Sequence, residues 1–306
     1  MNKFVIKSVI LIAIILCIDS LFGAGMQQIL KQTVKGDWGR NNYITNELKS
    51  EIIVLGSSRA IHHYDPKIFS DSFGLSCYNC GEDGMGILLM YARYKQICER
   101  QIPKLVIYEF LPGFDYEIED NSRYLRFLRP LPHNMITDSI IYSVSPTEKF
   151  KLISRLYAYN SFFIDIISQK YSKSTSTAKN FTFAPLDGIM NYQPHLEKDG
   201  IDNPKADSLK LKYLERLIHD CKQNGTRLVF VSSPIYLGVW NTSLDWLSKV
   251  CEHNNIRYYN HYFDTVFYKK PSLFADSYHL NKVGAELFSR LLSHEIKNDS
   301  IMSREE

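Results

Sequence analysis

Two stretches of this 306-residue chain carry residue types that could activate a hydroxyl group. In IIVLGSSRAIHH, residues 52–63, four apolar residues run into Gly56, Ser57 and Ser58. In FADSYHLNKVG, residues 274–284, Asp276 stands three places before His279. A serine hydroxyl is a poor nucleophile until a base takes its proton, and the base must itself be held in place. In a loop entering a helix, Asp-x-x-His can turn the carboxylate back onto the imidazole, fixing its tautomer and stabilising the imidazolium that forms. Each stretch also has an ordinary reading, as a turn after a strand and as a helix cap. Their order favours chemistry, because one ends the first strand and the other precedes the last helix.

The elements between them must bring the two ends together. Residues 51–56 form a short apolar run closed by Gly56, the pattern of a buried parallel strand. Residues 86–101 place Leu88, Leu89, Ala92, Tyr94, Ile97 and Cys98 at helical spacing. A second strand is expected over 104–112, a helix over 208–225, a strand over 226–234, a helix over 244–255 and a strand over 256–261. This alternation predicts a parallel sheet covered on both faces, with functional groups at the carboxyl ends of its strands.

The middle breaks the pattern. Residues 115–205 contain no clear apolar strand, and read as a mostly helical and loop insertion packed over the sheet or forming a lid, with a helix near 149–170. Arg123, Arg126 and Arg129 recur every three residues, so on a helix they would form one ridge. A solvated face is the first reading of that ridge, and a site for an acidic sugar the second.

At the N-terminus, Lys3 and Lys7 precede an apolar run, and residues 4–22 are long enough to cross a bilayer. Residues 1–25 therefore read as an inner-membrane anchor with the remainder on the periplasmic, extracytoplasmic side. A signal peptide cleaved on secretion is the alternative. Residues 296–306 read as a polar tail.

The net charge of +3 comes with no dense basic block, which argues against a nucleic-acid partner. Cys77 and Cys80 in CYNC have the spacing of a metal or redox half-site, but no second pair accompanies them. They read as small buried residues, and no metal or cofactor is expected. The 20 Tyr and 17 Phe suit a thick core or a protein that handles sugars.

VLGSSRA, YNCGEDG and DSYHLNKVG together resemble the first, second and last blocks of the SGNH, or GDSL-type, hydrolase superfamily. The resemblance spans roughly residues 51–292 without the insertion, and implies a three-layer α/β/α sandwich of flavodoxin-like type acting on acyl esters without a metal. It assigns the nucleophile to Ser58 rather than Ser57, and the acid and base to Asp276 and His279. It places an oxyanion donor at the backbone N–H of Gly84, with Gly81 in reserve, in the block that opens at Asn79. The third block, Gly-x-Asn-Asp, should fall near YEFLPGFDYE, where no Asn stands. Arg59, His62 and His63 are the candidates to replace that donor.

The missing Asn resembles the membrane-anchored, exopolysaccharide-linked branches of the superfamily. The expectation is a serine esterase or O-acyltransferase acting on acyl groups, acetyl foremost, of an envelope or exported glycan. A membrane-embedded acyl-donor partner accompanies the transfer reading. A glycan-binding scaffold subunit that keeps the fold without the chemistry is the alternative.

Overall fold

The computed structural model describes residues 3–131, 134–160, 162–174, 176–180, 183–192 and 201–302. The strands are β1 (Ile52–Leu55), β2 (Cys77–Asn79), β3 (Leu105–Glu109), β4 (Ile201–Asp202), β5 (Arg227–Ser232), β6 (Trp240–Asn241) and β7 (Arg257–Asn260). The helices begin with α1 (Lys3–Gln32), α2 (Gly36–Asn46), α3 (Ser58–His63), α4 (Pro66–Phe73), α5 (Ile87–Cys98), α6 (Pro112–Asp115) and α7 (Met135–Val144). They continue with α8 (Glu148–Lys151), α9 (Arg155–Tyr159), α10 (Phe163–Lys170), α11 (Ser208–Gln223), α12 (Thr242–His253) and α13 (Lys282–Met302). The chain forms two compact units, one from Leu48–Asp120 and Thr182–Glu306, the other from Met1–Glu47 and Asn121–Phe181.

The first unit is built on a five-stranded sheet in the order β2-β1-β3-β5-β7, with every neighbouring pair parallel. β1 and β3 are buried along their whole length, which is why both read as unbroken apolar runs. Ile52, Val54, Leu105, Ile107, Val229 and Val231 pack on Phe69, Ala285, Phe288, Leu292 and Ile296 of α4 and α13. On the opposite side α5 meets α11 through Tyr91 and Tyr213, whose ring centroids are 5.3 Å apart. Side-chain caps start the covering helices: Asp207 accepts from the Leu209 N–H at 2.8 Å and Asn241 from the Ser243 N–H at 3.0 Å. The three-layer α/β/α expectation is met.

After β1 the chain moves outward to β2, then crosses back to β3 on the other side of β1. The carboxyl ends of β1 and β3 therefore flank the point where the strand order reverses, where open α/β sheets form their binding crevice.

The second unit corrects several expectations. Residues 121–180 group with the N-terminal helices in one compact unit. The helix expected near 149–170 is three short helices, α8, α9 and α10. Arg126 lies over the rings of Trp38, Phe127 and Phe162, and Arg129 makes a two-point ion pair with the buried Glu148 at 2.9 and 3.2 Å. Arg126 and Arg129 thus brace this unit through their stems and heads, whereas Arg123 is exposed.

α1 is long and apolar enough to cross a membrane. It extends beyond residue 25, and its later turns belong to the second unit: Met26 and Leu30 are buried, and Asp19 caps α9. The expected polar tail is helical through Met302, with Ile296 buried in the sheet's core. Residues 303–306 lie outside the described residues.

Candidate active site

β1 delivers its chain into Gly56, whose φ of +140° belongs to the region that L side chains rarely adopt. A Cβ there would stand 2.7 Å from the Glu109 carbonyl oxygen and 3.0 Å from the Ala60 Cβ, so only glycine lets β1 turn so sharply into α3. The turn separates the two serines. Ser57 is fully buried and its hydroxyl has no hydrogen-bond partner among the described residues, whereas Ser58 opens α3 half-exposed.

Ser58 Oγ lies 2.9 Å from His279 Nε2. The other ring nitrogen, Nδ1, is 2.9 and 3.1 Å from the two oxygens of Asp276. A carboxylate only accepts, so Nδ1 carries the proton, and Nε2 presents its lone pair to the serine hydroxyl. Asp276 also accepts the backbone N–H groups of Tyr278 and His279, each at 2.8 Å. Burial alone would raise its pKa, but the His279 ring and these two amides outweigh that and hold it below the usual carboxylate range.

Behind this relay lies a buried polar cluster. The Leu280 N–H, next to the reacting histidine, donates to His63 Nε2 at 3.0 Å. The proton of His63 must therefore be on Nδ1, which donates to Ser233 Oγ at 2.8 Å. The Ser233 hydroxyl in turn donates to Glu109 Oε1 at 2.7 Å. Tyr64 Oη donates to the other Glu109 oxygen, and the Ser233 N–H reaches both, at 3.1 and 3.2 Å. Arg59 donates to the Ser233 carbonyl at 3.3 Å, and its Nη1 lies 3.8 Å from Glu109. Burial raises the Glu109 pKa against the opposing pull of Arg59, Tyr64 and Ser233. His63 is held well below the ordinary imidazole range, first by burial and then by the charges of His279, Arg59 and His62.

His62 faces the other way. Its Nδ1 is 2.6 Å from the Ala184 carbonyl and its Nε2 is 3.0 Å from Asp83. Both nitrogens meet acceptors, an arrangement that favours the imidazolium. Burial opposes the charge, yet Asp83 and Ala184 prevail and raise its pKa.

Ser58, Asp276 and His279 are thus brought together as expected from the sequence. Arg59, Asn79 and His63 are not substrate-facing, and this corrects their assignment. Each is buried, and Asn79 ties Ala60 and Tyr64 of the α3 segment through their carbonyls at 2.6 and 2.9 Å. Gly81 is also drawn inward: its N–H donates to Asn79 Oδ1 at 3.0 Å, which removes it as an oxyanion donor. Gly84, at φ +67°, donates no hydrogen bond among the described residues.

The sequence reading missed Glu109 and Ser233. Glu109 ends β3 where the third-block Asn was expected, and its carboxylate meets Tyr64, Ser233 and Arg59. A charged residue closing an otherwise apolar buried strand was the available signal.

No family model and no curated protein matches this chain. Among solved structures, the chain is similar to a candidate lipolytic protein of the G-D-S-L family from Desulfitobacterium hafniense DCB-2, at 13% identity and TM-score 0.41, over 80% of this chain and 98% of that one. It is also similar to a candidate acylhydrolase from Bacteroides fragilis NCTC 9343, at 10% identity and TM-score 0.41, over 85% of this chain and 93% of that one.

Proposed function

We propose that the chain is a serine-dependent esterase or O-acyltransferase that works on acyl esters of an envelope or exported glycan. One observation carries the reading: the unbroken hydrogen-bond series from Ser58 through His279 to Asp276. In the reaction, the Ser58 oxygen bonds to the ester carbonyl carbon as His279 Nε2 takes the hydroxyl proton. Asp276 stabilises the imidazolium. The tetrahedral anion is met by the N–H groups of Ser58 and Gly84, neither of which has a partner among the described residues. Collapse breaks the bond to the leaving alkoxide, which takes the proton from His279 and leaves an acyl-Ser58. Water or a sugar hydroxyl then bonds to the acyl carbon as its proton passes to His279 Nε2; the Ser58 Oγ–acyl bond breaks, Ser58 Oγ takes that proton back, and the acid or the acylated sugar leaves.

Two features support a glycan. Tyr278, in the Asp276 turn, and Tyr192 are both exposed, and the Tyr192 hydroxyl accepts the Ser277 N–H at 3.3 Å. Such rings suit stacking against a pyranose face. The apolar α1 suits a protein held at the membrane surface, facing the extracytoplasmic side. Its Asp19, Gly23, Met26 and Leu30 are built into the second unit, which favours a retained anchor over a cleaved signal.

Labelling of the full-length protein with a fluorophosphonate probe tests the reading. Label should appear on Ser58, persist in Ser57→Ala and vanish in Ser58→Ala, with ester turnover falling on the order of 10⁴-fold or more in the latter. A folded protein that takes no label would overturn the catalytic reading in favour of a glycan-binding subunit.

A further inference from the structure

The segment that carries α8, α9 and α10 exposes apolar side chains beside α1. Phe150 is 71% exposed, Ile153 73% and Ile164 66%, with Leu156 and Phe163 open beside them. α10 already turns Ile166 inward, and Phe163 packs on α1, so Ile164 is not needed for the core of this unit.

The attachment of this segment to α1 is close and specific. Asp19 follows the unbroken apolar run of α1, and α9 starts directly on its carboxylate. The Ser154 hydroxyl donates to Asp19 at 2.6 Å, the Arg155 N–H at 2.8 Å and the Leu156 N–H at 3.0 Å. One turn further along, Gly23 lets the Arg155 stem lie against α1, where any Cβ would fall 2.3 Å from the Arg155 Cβ. Phe22 meets Phe163 edge-on, with ring centroids 6.1 Å apart. The exposed apolar residues therefore leave α1 at the depth where its apolar run ends. Lys149 and Arg155, both exposed, stand among them.

We infer that the α8–α10 segment is a platform seated in the surface layer of the bilayer that α1 crosses. Phe150, Ile153, Leu156 and Ile164 enter the boundary between headgroups and acyl chains, and Lys149 and Arg155 meet lipid phosphates. The chemistry is that of an interfacial amphipathic element, with apolar side chains inserted and basic ones at the phosphate level. Large exposed aliphatic and aromatic residues grouped on a short segment mark such a surface. The membrane is favoured as occupant because the patch is continuous with the apolar helix. The inference rests on α1 being retained as an anchor.

The test uses full-length protein in liposomes of phosphatidylcholine and phosphatidylglycerol containing a phospholipid with a photoactivatable diazirine in its acyl chain. After illumination, adducts are located by peptide mass spectrometry. Adducts are expected within the apolar run of α1 and also at Phe150, Ile153, Leu156 and Ile164. In a double variant, Ile153→Asp with Ile164→Asp, adducts at Phe150 and Leu156 should fall at least fivefold while those on α1 persist. Adducts on α1 with none on the segment would overturn the platform, leave the anchor standing, and point to a protein partner on this face. Adducts on neither would sink the anchor reading and the platform together.

Discussion

His62 and His63 are consecutive residues on one short helix, and their rings stand at 5.7 and 6.0 Å from the His279 ring. Their states are nevertheless opposite. On the outer side, His62 is gripped by two acceptors, which favour its charged form. On the inner side, His63 takes a hydrogen bond from a backbone amide and is neutral. Neither state follows from residue type; the number of donors and acceptors around each ring decides it. The inner side behaves as scaffold, orienting Leu280 and hence the residue before it. The outer side is an electrostatic neighbour of the site, within reach of solvent.

The contrast can be broken first at the reacting ring itself. Asp276→Asn replaces an acceptor with a group that can donate, so Nδ1 loses its proton acceptor and the favoured tautomer reverses. Turnover of a chromogenic ester should fall by roughly 10⁴-fold with the fold intact. On the inner side, Glu109→Ala strips the partner from buried Arg59, Tyr64 and Ser233. It should cost about 3–5 kcal/mol in chemical denaturation, and an unchanged midpoint would show that the cluster is not a unit. His63→Ala is smaller, since it orphans the Leu280 N–H and removes the N–H that Ser233 Oγ accepts. A loss of about 1–3 kcal/mol is expected, with kcat reduced and KM little changed.

The smallest effect sharpens the comparison most. His62 has a raised pKa in the folded state, so its contribution to stability is fully present below the ordinary imidazole value and is lost as pH rises through the folded value. His63 has a lowered one, so its contribution is present above the ordinary value and is lost as pH falls toward the folded value. Denaturation of His62→Gln and His63→Gln from pH 5 to pH 8 should therefore show wild-type-minus-variant differences that slope in opposite directions. Slopes of the same sign would contradict the assigned protonation states.

The sheet was legible because β1, β3 and β5 are buried on both faces, leaving apolar runs bounded by Gly56, Pro112 and Pro234. The three chemistry-bearing residues were legible because each follows or precedes such an element at a spacing that chemistry requires. Arg59, Asn79 and His63 were misplaced for a common reason. Whether a polar side chain next to a strand end faces substrate or core depends on what the neighbouring strand supplies. Here Glu109 and Ser233, from β3 and just beyond β5, supply a buried set of partners invisible to any local pattern. Arg126 and Arg129 were misplaced similarly, because their partners Trp38 and Glu148 come from distant parts of the chain.

The second unit is made from two pieces of chain separated by β1, β2 and β3. Because synthesis proceeds from the N-terminus, Asp19 and Gly23 emerge long before the α9 turn that they receive. Until then, α1 has only α2 to pack on, with Asn42 donating to the Lys31 carbonyl at 3.2 Å. Completion of this unit therefore waits on synthesis of residues 121–180, and a chain truncated after β3 would leave Asp19 and Gly23 without the α9 turn that they receive.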